Sequence, residues 1–173
     1  MKQFFFLQLS GVPASGKSTL AKEISKRISV IIVSHDVTKE ALMGMDVSDD
    51  ILSKASYCVD YAYADYYLSM GHNVILDSTC HSEWQLKKSI EVANRNKANY
   101  KYIECSLDDR DVIYRRLNTR EYGKSQIDSL DNNDLSDWYE SIKRPEGYYL
   151  RIDTSAPVKA YINTVMIYLE QKD

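Results

Sequence analysis

The stretch LQLSGVPASGKSTLAKEIS, residues 7–25, constrains the fold more than any other part of the chain. A short apolar run from Phe4 to Leu9 ends at Gly11 and reads as a buried strand. From Ser18 to Ile28, Leu20, Ala21, Ile24 and Ile28 recur at helical spacing. Between the two, Gly11-Val12-Pro13-Ala14-Ser15-Gly16-Lys17-Ser18 satisfies the G-x-x-x-x-G-K-[ST] pattern at every position. The glycines let such a loop curl until its backbone N–H groups point at an anion, and the following helix adds the positive end of its dipole. Lys17 is expected to reach the β- and γ-phosphates of a nucleoside triphosphate, Ser18 to ligate Mg²⁺ and Thr19 to touch the α-phosphate.

The rest of the chain alternates in the same way. Val30–Val33, Asn73–Leu76, Tyr100–Cys105 and Tyr148–Ile152 read as further strands, with helical patterns at 36–43, 50–70, 82–96, 108–120, 134–142 and 157–170. Strands separated by helices of this length imply right-handed crossovers and a parallel sheet covered on both faces. The predicted architecture is α/β, a P-loop NTPase fold with five parallel strands in the order 2-3-1-4-5 and flanking helices. One domain is expected over 1–173, with a short lid at about 120–135, where GKSQIDSLDNNDL (Gly123 to Leu135) is polar and loop-like.

A triphosphate loop serves GTPases, ATPases and kinases alike. Asn96-Lys97-Ala98-Asn99 approaches the guanine-reading N-K-x-D but ends in an amide and precedes a strand, so it reads as a polar helix C-terminus. VILDST supplies Asp77 followed by Ser78, where a water-activating ATPase commonly carries two adjacent acids. A kinase needs a carboxylate opposite the γ-phosphate to take a hydroxyl proton, and arginines on a lid. Asp36, in VIIVSHDVTKEAL, follows the second strand at its carboxyl end, where parallel sheets place their ligand crevice. It also suits the N-cap of the helix Val37–Met43. Lys39, one turn on, could hold the acceptor or be an exposed helix lysine, and His35 reads as a satisfied loop residue rather than a catalyst. Arg116 and Arg120 are four apart and share a helix face before the lid, whereas Arg115 points elsewhere.

GVPASGKST, SHDVTKEALM, NVILDSTCHSEWQLKKSIEVANR and YRRLNTRE follow the order seen in P-loop kinases, and most of residues 3–153 resembles the polynucleotide 5′-hydroxyl kinase domain. Zeta-toxin-like and chloramphenicol-phosphotransferase-like kinases belong to the same AAA-type ATP-binding group. The resemblance implies Asp36 as general base, Arg120 as catalytic lid arginine with Arg116 one turn earlier on ATP, and Asp77 and Thr79 lining the acceptor side. It places Lys39 where polynucleotide kinases have an acceptor-binding arginine, a point charge instead of a bidentate fork. The expected reaction moves the γ-phosphoryl group of ATP·Mg²⁺ to a hydroxyl on a nucleic-acid 5′ end or a small molecule. The alternatives are a nucleoside, metabolite or sugar-nucleotide kinase, and a nucleotide-binding switch without a phosphoacceptor.

On the acceptor side, SKASYCVDYAYADYYLSMGH holds five tyrosines, Tyr57, Tyr61, Tyr63, Tyr66 and Tyr67. They could stack a base, or the segment could be a core helix built on Ala55, Cys58, Val59, Ala62, Tyr66 and Met70. Arg144-Pro145 reads equally as an adenine border or a turn. The net charge of −3 excludes a global basic field for nucleic acid, so a basic groove has to be local. Three cysteines, Cys58, Cys80 and Cys105, without C-x-x-C spacing support neither zinc nor a disulfide framework and point to reduced cytoplasmic thiols. The N-terminal FFFLQL is too short for a signal or membrane segment, so a cytoplasmic, membrane-free protein is expected.

Overall fold

The computed structural model describes residues 4–119 and 132–171. Five strands, β1 (Phe5–Ser10), β2 (Ile31–Ser34), β3 (Val74–Asp77), β4 (Asn99–Ser106) and β5 (Leu150–Asp153), form one parallel sheet in the order β2-β3-β1-β4-β5. The crossovers are α1 (Lys17–Ser25), α2 (His35–Leu42) with α3 (Asp49–Ser69), α4 (Glu83–Asn96), and α5 (Arg110–Thr119) with α6 (Asn132–Ser141). A 3₁₀ turn at Val158–Ala160 and α7 (Ile162–Glu170) close the described chain. The α/β class, the parallel pairing and the strand order agree with the expectation from sequence.

All six residues of β1 are buried, which is why it takes the centre of the sheet. Phe5, Leu7 and Leu9 pack with Leu20, Ile24, Ile162 and Val165 on the α1–α7 face. Phe6 packs with Tyr61, Leu68, Val74 and Val92 on the α3–α4 face. Gln8 is buried on that second face with its amide paired: Ser89 Oγ donates to Oε1 at 2.9 Å, and Nε2 donates to Ser78 Oγ at 3.2 Å. Strand order reverses about β1, so the carboxyl ends of β1, β2 and β3 open on one crevice.

The tyrosine-rich helix turns the other way from the predicted core face. Its buried residues are Leu52, Ser56, Tyr57, Asp60, Tyr61, Ala64 and Leu68, while Cys58, Ala62, Tyr66 and Met70 are exposed. The buried stripe is half polar and becomes tolerable only because most of its polar groups find partners. Ser56 donates to Ser53 O at 2.8 Å, and Tyr61 donates to Gln85 O at 2.9 Å. Periodicity of apolar residues cannot see such a face.

Smaller shifts have local causes. Asp109 Oδ1 accepts the N–H groups of Asp111 (3.0 Å) and Val112 (3.1 Å), so α5 starts two residues after the expected 108. The N-cap position of α2 falls on Ser34, which places Asp36 inside the first turn and not at the cap. Lys97 ends α4 in the left-handed conformation, φ 56°, and Ala98 N–H closes on Ala93 O at 3.0 Å, as a polar helix C-terminus should. β5 begins at Leu150, leaving Tyr148 exposed before it. Of the expected lid, residues 120–131 with Arg120 lie outside the described residues, and 132–135 open α6. Among the described residues no helix is long and apolar enough to cross a membrane.

Candidate active site

The loop after β1 is held by backbone geometry. Gly11, Ala14 and Gly16 have φ of 136°, 60° and 90°. These left-handed values turn successive N–H groups to one side. At Gly11 a Cβ would run into the carbonyl oxygen of Cys105 and lie 2.6 Å from Ser15 Oγ. Gly11→Ala therefore combines a clash with a strained φ, and is expected to lower stability by about 1–3 kcal/mol. Denaturant unfolding reads this directly, and an unchanged midpoint would contradict it.

The loop is braced from the far edge of the sheet. Thr154 Oγ1 lies 2.7 Å from Ser15 O and 3.0 Å from Ser106 O, and Thr154 N–H donates to Ser106 O at 2.9 Å. Arg116 donates from Nη1 to Ala14 O at 3.3 Å and from Nη2 to Thr154 O at 2.6 Å. The guanidinium thus ties α5 to the loop and to the segment after β5, beside Gly16.

Lys17 Nζ donates to Gly11 O and Val12 O, both at 2.9 Å, so its charge is stored on the loop's own carbonyls. Ser18 lies beside Asp77 at the end of β3, close enough to act on its carboxyl. Burial pushes the Asp77 carboxyl up, Ser18 and Lys17 pull it down, and Asp36 pushes it up again. These four side chains are therefore within one electrostatic neighbourhood. A hydroxyl beside a carboxylate is the hard-oxygen donor pair that suits Mg²⁺, whose remaining positions phosphates and water fill. Among the described residues no group of three or more His, Cys, Asp or Glu side chains is placed to hold a metal by itself. Loop, lysine, hydroxyl and carboxylate fit a magnesium triphosphate.

Besides the loop, α2 and α3 line one cavity of about 1280 Å³ as a second wall. Asp36 and Lys39 line it from α2, and Asp50, Ser53, Lys54 and Tyr57 line it from one face of α3. Tyr57 OH is 3.5 Å from Thr79 Oγ1, and burial pushes the phenol up to about 12, so it stays a neutral hydroxyl. His35 Nδ1–H donates to Asp60 Oδ2 at 2.7 Å while its ring stacks on Tyr57, centroids 3.8 Å apart and planes 17° apart.

A third wall comes from the loop before α4 and from α6. Ser82 and Gln85 form a capping box that fixes the start of α4 and brings Trp84 to the cavity. Ser141 Oγ donates to Trp138 O at 2.8 Å, so it accepts from His81 Nδ1–H at 2.7 Å. Burial, with the Lys17 charge second, pulls His81 down to about 4 and keeps it neutral. Trp138 meets His81 edge-on at 4.3 Å, and Tyr139 OH donates to Leu107 O.

The structure thus gathers Lys17, Ser18, Thr19, Asp36, Lys39, Asp77, Thr79 and Arg116 around one cavity. Asp77, expected on the acceptor side, has Ser18 and Lys17 of the loop among the groups that act on its carboxyl. Arg144 borders no part of the cavity: it grips buried Glu104 through Nε–Oε2 at 2.6 Å and Nη2–Oε1 at 2.9 Å, which makes Arg144-Pro145 an anchored turn. The His35–Asp60 pair, Lys54, His81, Trp138 and Thr154 escaped the sequence. Each acquires its place through a partner 25 or more residues away or through a helix face that apolar spacing did not reveal.

A family model described as an AAA domain matches residues 7–145. No curated protein matches the chain in sequence. Among solved structures, the chain is similar to a candidate kinase from Chloroflexus aurantiacus, at 21% identity over 98% of this chain and 100% of that one, TM-score 0.75. It is also similar to the Mycobacterium tuberculosis APS kinase CysC in complex with AMPPNP and APS, at 16% identity over 99% and 100%, TM-score 0.66. The Chaetomium thermophilum Kti12 in complex with ADP-AlF3 matches at 13% identity over 96% and 100%, TM-score 0.66. At these identities the likeness is one of fold.

Proposed function

The chain belongs to this AAA-domain family, and from that premise we propose that it is an ATP-dependent kinase acting on a hydroxyl acceptor, with a nucleic-acid 5′-hydroxyl end as the first candidate. One observation carries the reading. The carboxylate of Asp36 lies on the wall built by α2 and α3, in a cavity of about 1280 Å³ that also takes in Lys17, Ser18 and Asp77. Hydrolysis alone does not call for such a wall.

Bound ATP·Mg²⁺ would supply the phosphoryl group and neutralise much of its charge. Lys17 would leave its loop carbonyls for the β- and γ-phosphates, and Ser18, backed by Asp77, would hold the metal. Asp36 would take the proton of the acceptor hydroxyl. Arg116 keeps the loop in register, and Arg120 is proposed to add charge from the lid. Trp84 and Trp138 offer aromatic surface for a base, while Lys39 and Lys54 supply local positive charge that the net charge of −3 does not.

A small acceptor is the second reading. It is supported by the likeness to an APS kinase structure holding APS, and by Asp50 at the same wall. An ATP-consumption screen with a 5′-hydroxyl oligonucleotide, a nucleoside and an aldose separates the two. Turnover that needs an acceptor is expected. Turnover that ignores every acceptor would replace the kinase with an ATPase switch.

A further inference from the structure

His35 is more elaborately held than its place next to Asp36 requires. Its Nδ1–H donates at 2.7 Å to Asp60, a carboxylate with no exposed surface, on a helix 25 residues away. Its ring lies flat on Tyr57, itself buried. Rotation about both side-chain torsions is thereby stopped. Among the described residues Nε2 makes no hydrogen bond, and the ring is part of the cavity wall. A carboxylate fixing one imidazole nitrogen so that the other is aimed at a substrate is the arrangement proteins use to orient a histidine.

The plain alternative is that His35 serves Asp60. It fails to account for the pair's economy: Asp60 Oδ1 is buried and still lacks a partner, so His35 leaves the carboxylate half satisfied. A residue selected only to satisfy Asp60 would gain nothing from a ring stacked at the cavity, adjacent to the proposed base.

We propose that His35 is a specificity-determining residue that hydrogen-bonds the acceptor through Nε2, beside the hydroxyl that Asp36 deprotonates. The acceptor is then a compound with a second polar atom next to its reacting hydroxyl, as a sugar or nucleoside has. This rests on the kinase reading.

Two substitutions separate the roles. In His35→Asn the side-chain amide can still donate to Asp60 but nothing replaces Nε2; in His35→Ala both are lost. The assay uses whichever acceptor the wild type phosphorylates among a 5′-hydroxyl oligonucleotide, adenosine and glucose, with ATP affinity and thermal midpoint measured alongside. For His35→Asn the expected result is a KM for the acceptor raised about tenfold or more, with ATP affinity within about twofold of wild type. Its thermal midpoint should stay close to wild type, with that of His35→Ala lower. Wild-type acceptor kinetics in His35→Asn would overturn the proposal and return His35 to a structural partner of Asp60. A fall in kcat with unchanged KM would overturn it too. Failure of the wild type to phosphorylate any acceptor would overturn the kinase reading itself, and with it this inference.

Discussion

Lys17→Ala should bind nucleotide more weakly and lose acceptor-dependent transfer by about 10²-fold or more, the range seen when one preorganised donor to a developing anion is removed. The substitution acts twice. It takes away the charge that would move from Gly11 O and Val12 O onto the phosphates. It also removes a charge that holds the Asp77 carboxyl down against burial. Asp77 would then bind its proton more readily, and the Ser18–Asp77 pair would offer magnesium a weaker site. Folding should suffer little, because the lost hydrogen bonds are replaced by water at a cavity wall. Nucleotide affinity by titration calorimetry, steady-state transfer and a thermal melt together make the test. Unchanged turnover in a folded variant would remove the phosphate loop from the reaction.

The parts that could be read from sequence are those written in contiguous residues. The loop from Gly11 to Ser18 needs glycine, lysine and hydroxyl at fixed spacing, and each appears where the backbone needs it. The strand order followed from the same logic, since β-branched and aromatic runs separated by helices leave few right-handed parallel arrangements. The wall built by α2 and α3 is different. Tyr57, Asp60 and His35 meet across two helices, and the buried stripe of α3 contains Ser56 and Asp60, which hydropathy spacing assigns to solvent. Its polarity is compensated by specific hydrogen bonds, a property of tertiary contacts alone. Asp77 illustrates the intermediate case. Its position at the end of the third strand was legible, but its neighbour Ser18 belongs to another strand's loop, and that closeness arises only in the folded chain.

Asp36→Asn should leave ATP affinity near wild type and cut transfer by about 10²-fold or more. Phosphoryl transfer has a loose transition state in which positioning and charge stabilisation carry most of the rate, so a base is worth less here than in acyl transfer. It still matters at the end of the step, when the new P–O bond has formed and the hydroxyl proton needs a destination. Asn keeps the size of Asp and its hydrogen-bonding reach but cannot accept that proton as a carboxylate does. The helix provides the control. Ser34 occupies the cap position, and Asp36 in the first turn contributes through the dipole, typically 0.3–1 kcal/mol. Loss of its charge should therefore lower the thermal midpoint by only about a few degrees, far too little to mimic a hundredfold rate loss. Removing Asp36 also removes a charge that pushes Asp77 up, so the metal-side carboxylate should ionise more easily in the variant. Magnesium and nucleotide binding are thus expected to hold or improve while transfer collapses. A folded Asp36→Asn protein that transfers at the wild-type rate would leave the cavity's second wall without its base.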